Sequence, residues 1–182
     1  MRKGNGGTYP ILFLTLVVFI SVIALTLTNS VTEERIVDAR REAIKEMLQT
    51  LFPEMDDFIY DEAAERYTVT RDNAPLGQAF MALAVGYGGP IDILVGLEQN
   101  NALRGIEIIS QKETPGLGAK IIEAAFLDQF ARQTGETLAL TRDGGTIDAI
   151  TGATISSSAV VKGVKEAILR QLGVQARDEG GK

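Results

Sequence analysis

Apolar and polar positions divide the chain into one long uncharged run and a patterned remainder. Residues 9–28 (YPILFLTLVVFISVIALTLT) carry no charge. At about 1.5 Å per residue, a helix over this run is about 30 Å long, the thickness of a bilayer core, so a transmembrane helix is expected. Beyond it, Ile36, Ala39, Ala43, Met47 and Leu51 recur at helical spacing over 32–51, with Thr32 as a candidate cap and Pro53 as the stop. The acidic stretch 54–65 reads as a loop. Strands are predicted at 66–71, 78–87, 91–98 and 103–110. Asn100–Asn101 reads as a hairpin turn, so the last two strands should pair antiparallel. A helix over 119–132 is expected to place Ile122, Ala125, Phe126 and Phe130 on one face. A short strand at 137–140 then leads to the turn Arg142–Asp143–Gly144–Gly145. The closing helix, 154–172, turns Val161, Val164, Ile168 and Leu172 inward and Lys162, Lys165, Glu166 and Arg170 outward. The polar, Gly-rich tail 173–182 is expected to fray.

The flanks orient the apolar run. Arg2 and Lys3 precede it, while Glu33 and Glu34 follow it with Arg35. A basic flank stays in the cytoplasm, which puts the C-terminal domain on the periplasmic or extracellular side of the inner (cytoplasmic) membrane. A cleaved signal peptide is the rival reading, but the run is long for one and LTNSVTEER offers no A-x-A-like cleavage site. The expected organisation is a cytoplasmic segment 1–8, a single span 9–28, a juxtamembrane helix and connector 29–65, a folded domain 66–172 and the tail.

Composition narrows the chemistry. At 182 residues, one α/β domain of ordinary size plus an anchor is expected. There is no Cys, which excludes iron–sulfur clusters, thiolate zinc sites and disulfides. There is no His, so the commonest metal ligand and the usual general base are absent too. Redox work, if any, falls to an organic cofactor. The net charge of −6 argues against nucleic acid, which wants a basic face.

One segment carries candidate chemistry. Asp148-Ala149-Ile150-Thr151-Gly152-Ala153-Thr154 passes from an extended piece through a turn into the closing helix, and Ser156, Ser157 and Ser158 follow in its first turn. Backbone N–H groups at a helix N-terminus lack intrahelical partners and sit at the positive end of the dipole, which suits a phosphate. Gly152 lets the backbone approach a ligand closely. The same residue types serve as ordinary caps, and spacing alone leaves capping and anion binding both open. Upstream, Glu113-Thr114-Pro115-Gly116-Leu117-Gly118 reads by itself as a tight turn, since Pro-Gly favours type II.

The residues of both segments resemble a known family. DAITGAT is similar to the flavinylation signature Asp-x-x-(Ser/Thr)-Gly-Ala-Thr of the FMN-binding domain, and ETPGLG is similar to a loop that lies near the flavin in that family. The two occur in the family's order behind one anchor, and the resemblance covers roughly residues 80–172. It implies an α/β (α+β) fold, with a mainly antiparallel sheet and flanking helices. It also implies FMN joined to Thr154 by a phosphodiester bond, made by a separate Mg-dependent flavin transferase. Asp148, Thr151, Gly152 and Ala153 would complete the attachment motif, with Ser156 and Ser157 beside it. Glu113, Thr114, Pro115, Gly116, Leu117 and Gly118 would form the loop near the cofactor. Asp148 would either orient the acceptor hydroxyl or help hold metal during attachment.

The family occurs in the G subunit of Rnf-type ion-translocating electron transport complexes and in the C subunit of sodium-translocating NADH:quinone reductases. The short chain favours the first. The resemblance then implies a redox subunit between ferredoxin and NAD, with no substrate turnover or catalytic residue of its own. Its partners would be other membrane subunits, a second flavinylated one included, and the transferase. A membrane-tethered module gripping a small anion reversibly is the contrasting expectation.

Overall fold

In a computed structural model the backbone is described for residues 8–173 and the side chains for residues 12–22 and 41–173. The chain divides into two compact units, Met1–Ile44 and Lys45–Lys182. Helix α1 spans Thr8–Leu51. In the first unit, the apolar side chains from Leu12 to Val22 are exposed. Among the described residues no helix is long and apolar enough to cross a membrane. The expected span 9–28 reaches beyond residues 12–22, the described part of its side chains. The expected cytoplasmic segment 1–8 and tail 173–182 lie almost wholly outside the described residues.

The second unit is built on a five-stranded antiparallel meander in the order β1-β2-β3-β4-β5. Its strands are β1 (Asp57–Asp61), β2 (Arg66–Arg71), β3 (Ala74–Val85), β4 (Pro90–Glu98) and β5 (Leu103–Ser110). The mainly antiparallel sheet is therefore as expected. So is the β4–β5 hairpin, where Asn101 takes φ 65° and Asn100 Oδ1 accepts the Ala102 N–H at 2.9 Å. Within the sheet, two readings change. The stretch expected to be a loop contains β1, held at the sheet edge by cross-strand ring contacts, a tilted Tyr60–Tyr67 pair at 4.8 Å and an edge-to-face Phe58–Tyr67 pair at 5.7 Å. Strand β3 begins earlier, at Ala74, because Asp72 and Asn73 at φ 50° and 61° close a two-residue hairpin turn onto β2.

One face of the sheet carries the main core. Phe80, Ala82 and Ala84 of β3, with Ile91, Ile93 and Val95 of β4, pack under helix α3 (Thr154–Gln171) through Val160, Val161, Val164, Ala167 and Ile168. The alternation along β3 follows from the pleat, which sends successive side chains to opposite faces. The other face is covered by the end of α1: Leu48 and Phe52 are fully buried, and Gly96 leaves room for the Phe52 ring. Arg104 of β5 fastens that end. Its Nε donates to the Leu51 carbonyl at 2.5 Å, its Nη2 to Glu54 at 2.6 Å, and its guanidinium lies 4.8 Å from the Phe52 ring centre. A carbonyl that the last turn of α1 leaves without an intrahelical donor is thereby satisfied.

The expected helix over 119–132 is three short pieces: a 3-10 turn Gly118–Ile122, helix α2 (Ala124–Leu127) and a 3-10 turn Asp128–Phe130. Glu123 at φ −74°, ψ 139° breaks the helix. The break lets Ile121 and Phe126, five positions apart, both reach the core, while Ile122 and Ala125 point to solvent. The expected strand 137–140 is a buried loop instead. Leu138 and Leu140 fill the core, and only the bridge Leu140↔Ile147 pairs. The closing helix matches expectation except at its end, where Leu172 is the C-cap and exposed, before Gly173 at φ 67°.

Candidate functional site

Three loops meet at the N-terminus of α3: the β3–β4 turn, the loop after β5 and the turn that enters the helix. Glu113 joins them. Its side chain is 5% exposed; Oε1 accepts the Gly88 N–H at 2.9 Å, and Oε2 accepts the hydroxyl of Ser156, itself 2% exposed, at 2.5 Å. The carboxylate fits because its neighbours lack side chains. A Cβ on Gly86 would stand 2.1 Å from Oε1, and one on Gly118 would stand 2.8 Å from Oε2.

Thr114-Pro115-Gly116-Leu117 forms the type II turn that Pro-Gly favours: Gly116 sits at φ 74° and the Leu117 N–H reaches the Thr114 carbonyl at 3.3 Å. This turn sets Leu117 against Gly152, where a Cβ would lie 2.9 Å from Leu117 Cδ1. Gly152 adopts φ 81°, the left-handed region that L side chains rarely enter. The two sequence signatures are thus in direct contact.

The helix start settles the question of capping. Ala153 occupies the N-cap position, and no side chain caps α3. Ser157, expected at the cofactor, lies fully buried beneath the turn. It accepts the Ile150 N–H at 3.0 Å and donates to the Ala153 carbonyl at 3.0 Å, so it fixes the loop entering α3. The first N–H groups of α3, which lack intrahelical partners, are thus left uncapped by side chains.

A cavity of about 450 Å³ opens at this helix start, lined by Glu113, Thr114, Leu117, Gly118, Gly152, Ala153, Thr154 and Ser156, with Tyr87 and Ile155. Its volume lies within the range of organic-ligand sites, and its walls are mostly apolar with a few convergent polar groups. A second cavity of about 350 Å³ shares Thr154 and Ile155 with the first and adds Val85, Arg142, Ser158, Ala159 and Lys162. Of the expected site residues, Pro115, Gly116, Asp148, Thr151 and the buried Ser157 do not line either cavity. Asp148 is exposed; its carboxylate accepts the Thr141 hydroxyl at 2.5 Å, and its N–H donates to Gln129 at 2.7 Å. Among the described residues no group of three or more acidic side chains is gathered to hold a metal. Tyr87, Ile155, Arg142 and Lys162 line the cavities but are not among the site residues expected from the sequence, where Arg142 reads only as a turn residue and Lys162 as part of the outer helix face. The aromatic between Gly86 and Gly88 is the one with a readable signal, since an exposed ring in a glycine turn is seldom structural.

The family model described as the FMN-binding domain matches residues 86–169, a span that contains both signatures and every residue lining the two cavities except Val85. The G subunit of an ion-translocating oxidoreductase complex from Stutzerimonas stutzeri is 36% identical, over 93% of this chain and 81% of that one. The chain belongs to the FMN-binding domain family. The G subunit of a proton-translocating ferredoxin:NAD(+) oxidoreductase complex from Clostridium ljungdahlii is 31% identical over 85% of this chain and 86% of its own length. Among solved structures, the C subunit of a sodium-translocating NADH-quinone reductase from Parabacteroides distasonis is 22% identical, covers 60% of each chain and has a TM-score of 0.49. In this FMN-binding domain, the matched segment begins at the β3–β4 turn and ends near the close of α3, so it holds every loop that frames the cavity.

Proposed function

We propose that this chain is the G-type electron-transfer subunit of an Rnf-type ion-translocating oxidoreductase, carrying FMN by a phosphodiester bond to Thr154. The observation that carries the reading is the position of Thr154: the first residue of a helix with no side-chain cap, on the rim of a cavity framed by both signatures. The relatives' names support the complex, and the match runs over 81% and 86% of their lengths.

The residues fit the cofactor. Tyr87, Leu117 and Ile155 offer apolar surface to a planar ring and exclude water from it. The Thr154 hydroxyl acts as a tether, so the cofactor stays bound where free FMN is scarce. The N–H groups of the first turn face a phosphate favourably. Glu113 brings a buried carboxylate to one wall, and negative charge there disfavours adding electrons nearby. FMN, when bound, supplies the one- and two-electron chemistry; the protein supplies binding, orientation and electrostatics. Residues 9–28 anchor the domain on the outer face of the membrane, beside partner subunits that include a second flavinylated one.

The test is a chain matured with the transferase. Wild type should show flavin fluorescence in a denaturing gel and a flavin mass on the peptide that contains Thr154; Thr154→Val should fold and show neither. Flavin that washes off wild type on denaturation would favour the reversible anion-binding module. A mass increment retained by Thr154→Val would move the attachment elsewhere.

A further inference from the structure

We infer that the second cavity is a phosphate subsite in which Arg142 and Lys162 neutralise the tethered phosphodiester, leaving the first cavity to the ring. The inference rests on the reading of Thr154 as the attachment point.

The two cavities meet at Thr154 and Ile155 but differ in charge. The first holds the buried Glu113 carboxylate and no cation among its lining residues, an unfavourable place for a second anion. The second has two cations and no acid among its lining residues. A ligand fixed at Thr154 with one anionic and one apolar end is therefore sorted by charge: ring toward Glu113, Tyr87 and Leu117, phosphate toward Arg142 and Lys162.

Helix geometry supports the assignment. Thr154, Ser158 and Lys162 follow at intervals of four, so they stack along one face of α3. A hydroxyl and then an ammonium lie below the tether on the face that lines the second cavity. Arg142 lines the same cavity from a different element, the 3-10 turn Thr141–Asp143. Its ion pair to Asp143, at 3.4 Å, is between side chains each more than half exposed. Such a pair holds weakly and leaves the guanidinium free to turn to a phosphate, for which its planar fork is well matched.

The experiment is lysine acetylation of the full chain in detergent, comparing wild type matured with the transferase against the same wild type made without it. Peptide mass spectrometry reads the modification rate at Lys162, with Lys165, away from either cavity, as internal reference. In the flavin-loaded chain Lys162 should react more slowly by roughly threefold or more, as befits an ammonium held in a charge-assisted hydrogen bond, with Lys165 unchanged. Arg142→Gln in the loaded chain should not restore full reactivity, because the phosphate still sits beside Lys162. Equal Lys162 rates in the two preparations, with flavin mass present on the Thr154 peptide, would overturn the subsite while leaving the attachment intact. Absence of that mass would remove the attachment and this inference with it.

Discussion

The Ser156 hydroxyl donates a 2.5 Å hydrogen bond to Glu113 Oε2, joining the first turn of α3 to the loop that follows β5 across 43 residues of sequence. The other oxygen of the same carboxylate holds the β3–β4 turn through the Gly88 N–H. Three separately coded loops are thus positioned by one buried side chain. Glu113→Ala should orphan two donors at about 1–3 kcal/mol each, and the Tm of the unloaded chain should fall by several degrees. Glu113→Gln keeps one carbonyl oxygen as an acceptor and should lose less. A Glu113→Ala chain as stable as wild type would show that this carboxylate does not hold the loops together.

Much of this site was legible because its parts are local. A Pro-Gly pair dictates its own turn, and a Thr-Gly-Ala-Thr step at the start of an amphipathic stretch dictates a loop entering a helix. What could not be read was which local pieces touch. Nothing in the sequence brings Gly86 and Gly88 to Glu113, or Arg142 and Lys162 to one cavity, because those placements come from the sheet register and from where α3 crosses it. The misread helix over 119–132 failed for a related reason: burial of both Ile121 and Phe126 outweighed a helical pattern that would have buried Ile122. Edge strand β1 was hidden by its acidic flanks, since its pairing depends on aromatic contacts with β2.

Gly152 is expected to tolerate replacement poorly for a conformational reason. A side chain at φ 81° costs about 1–2 kcal/mol. The steric contact, with the end of the flexible Leu117 side chain, is relieved by rotating that side chain away from the cavity wall. Gly152→Ala should therefore lower the Tm modestly and lower the yield of flavin-loaded chain, read as the ratio of flavin to protein absorbance. Gly152→Asn, which enters the left-handed region more readily, should recover part of the stability. Equal Tm for Gly152→Ala and wild type would show that the turn relaxes out of the left-handed region.

The clamp at the end of α1 gives a pH dependence. The Glu54 carboxyl is held below the usual carboxylate range by a hydrogen bond from its own backbone N–H and by Arg104, with partial burial opposing them. A depressed folded-state pKa contributes stability that is present above the unfolded pKa and is lost as pH falls through the folded one. The Tm should thus hold near neutrality and drop as pH falls from about 4.5 downward, where the unfolded chain takes up a proton at Glu54 before the folded one does. Glu54→Gln should lie below wild type at neutral pH and converge with it in acid, measured as Tm against pH. Parallel curves for the two chains would remove Glu54 from the acid sensitivity.

Gly163 sets two opposing effects against each other within α3. Alanine is the better helix former by about 1 kcal/mol, so on propensity alone Gly163→Ala should stabilise the chain. Yet a Cβ there would stand 2.8 Å from the Ala84 Cβ and 3.1 Å from the Leu83 carbonyl oxygen. Both neighbours belong to β3, a strand paired to β4 along this stretch, and neither is the far end of a flexible side chain. Relief requires moving the helix away from the sheet, and overpacking of that kind costs about 1–3 kcal/mol. Strain should win, and Gly163→Ala should lower the Tm. Because α3 carries Thr154 at its first turn and Val164 and Ile168 in the core, such a shift would also move the tether relative to the Glu113 wall. Flavin loading by the transferase should consequently fall together with stability. Gly163→Ala with raised Tm and full loading would mean that helix and sheet separate at no cost, and that the close approach of α3 to β3 does not fix the site.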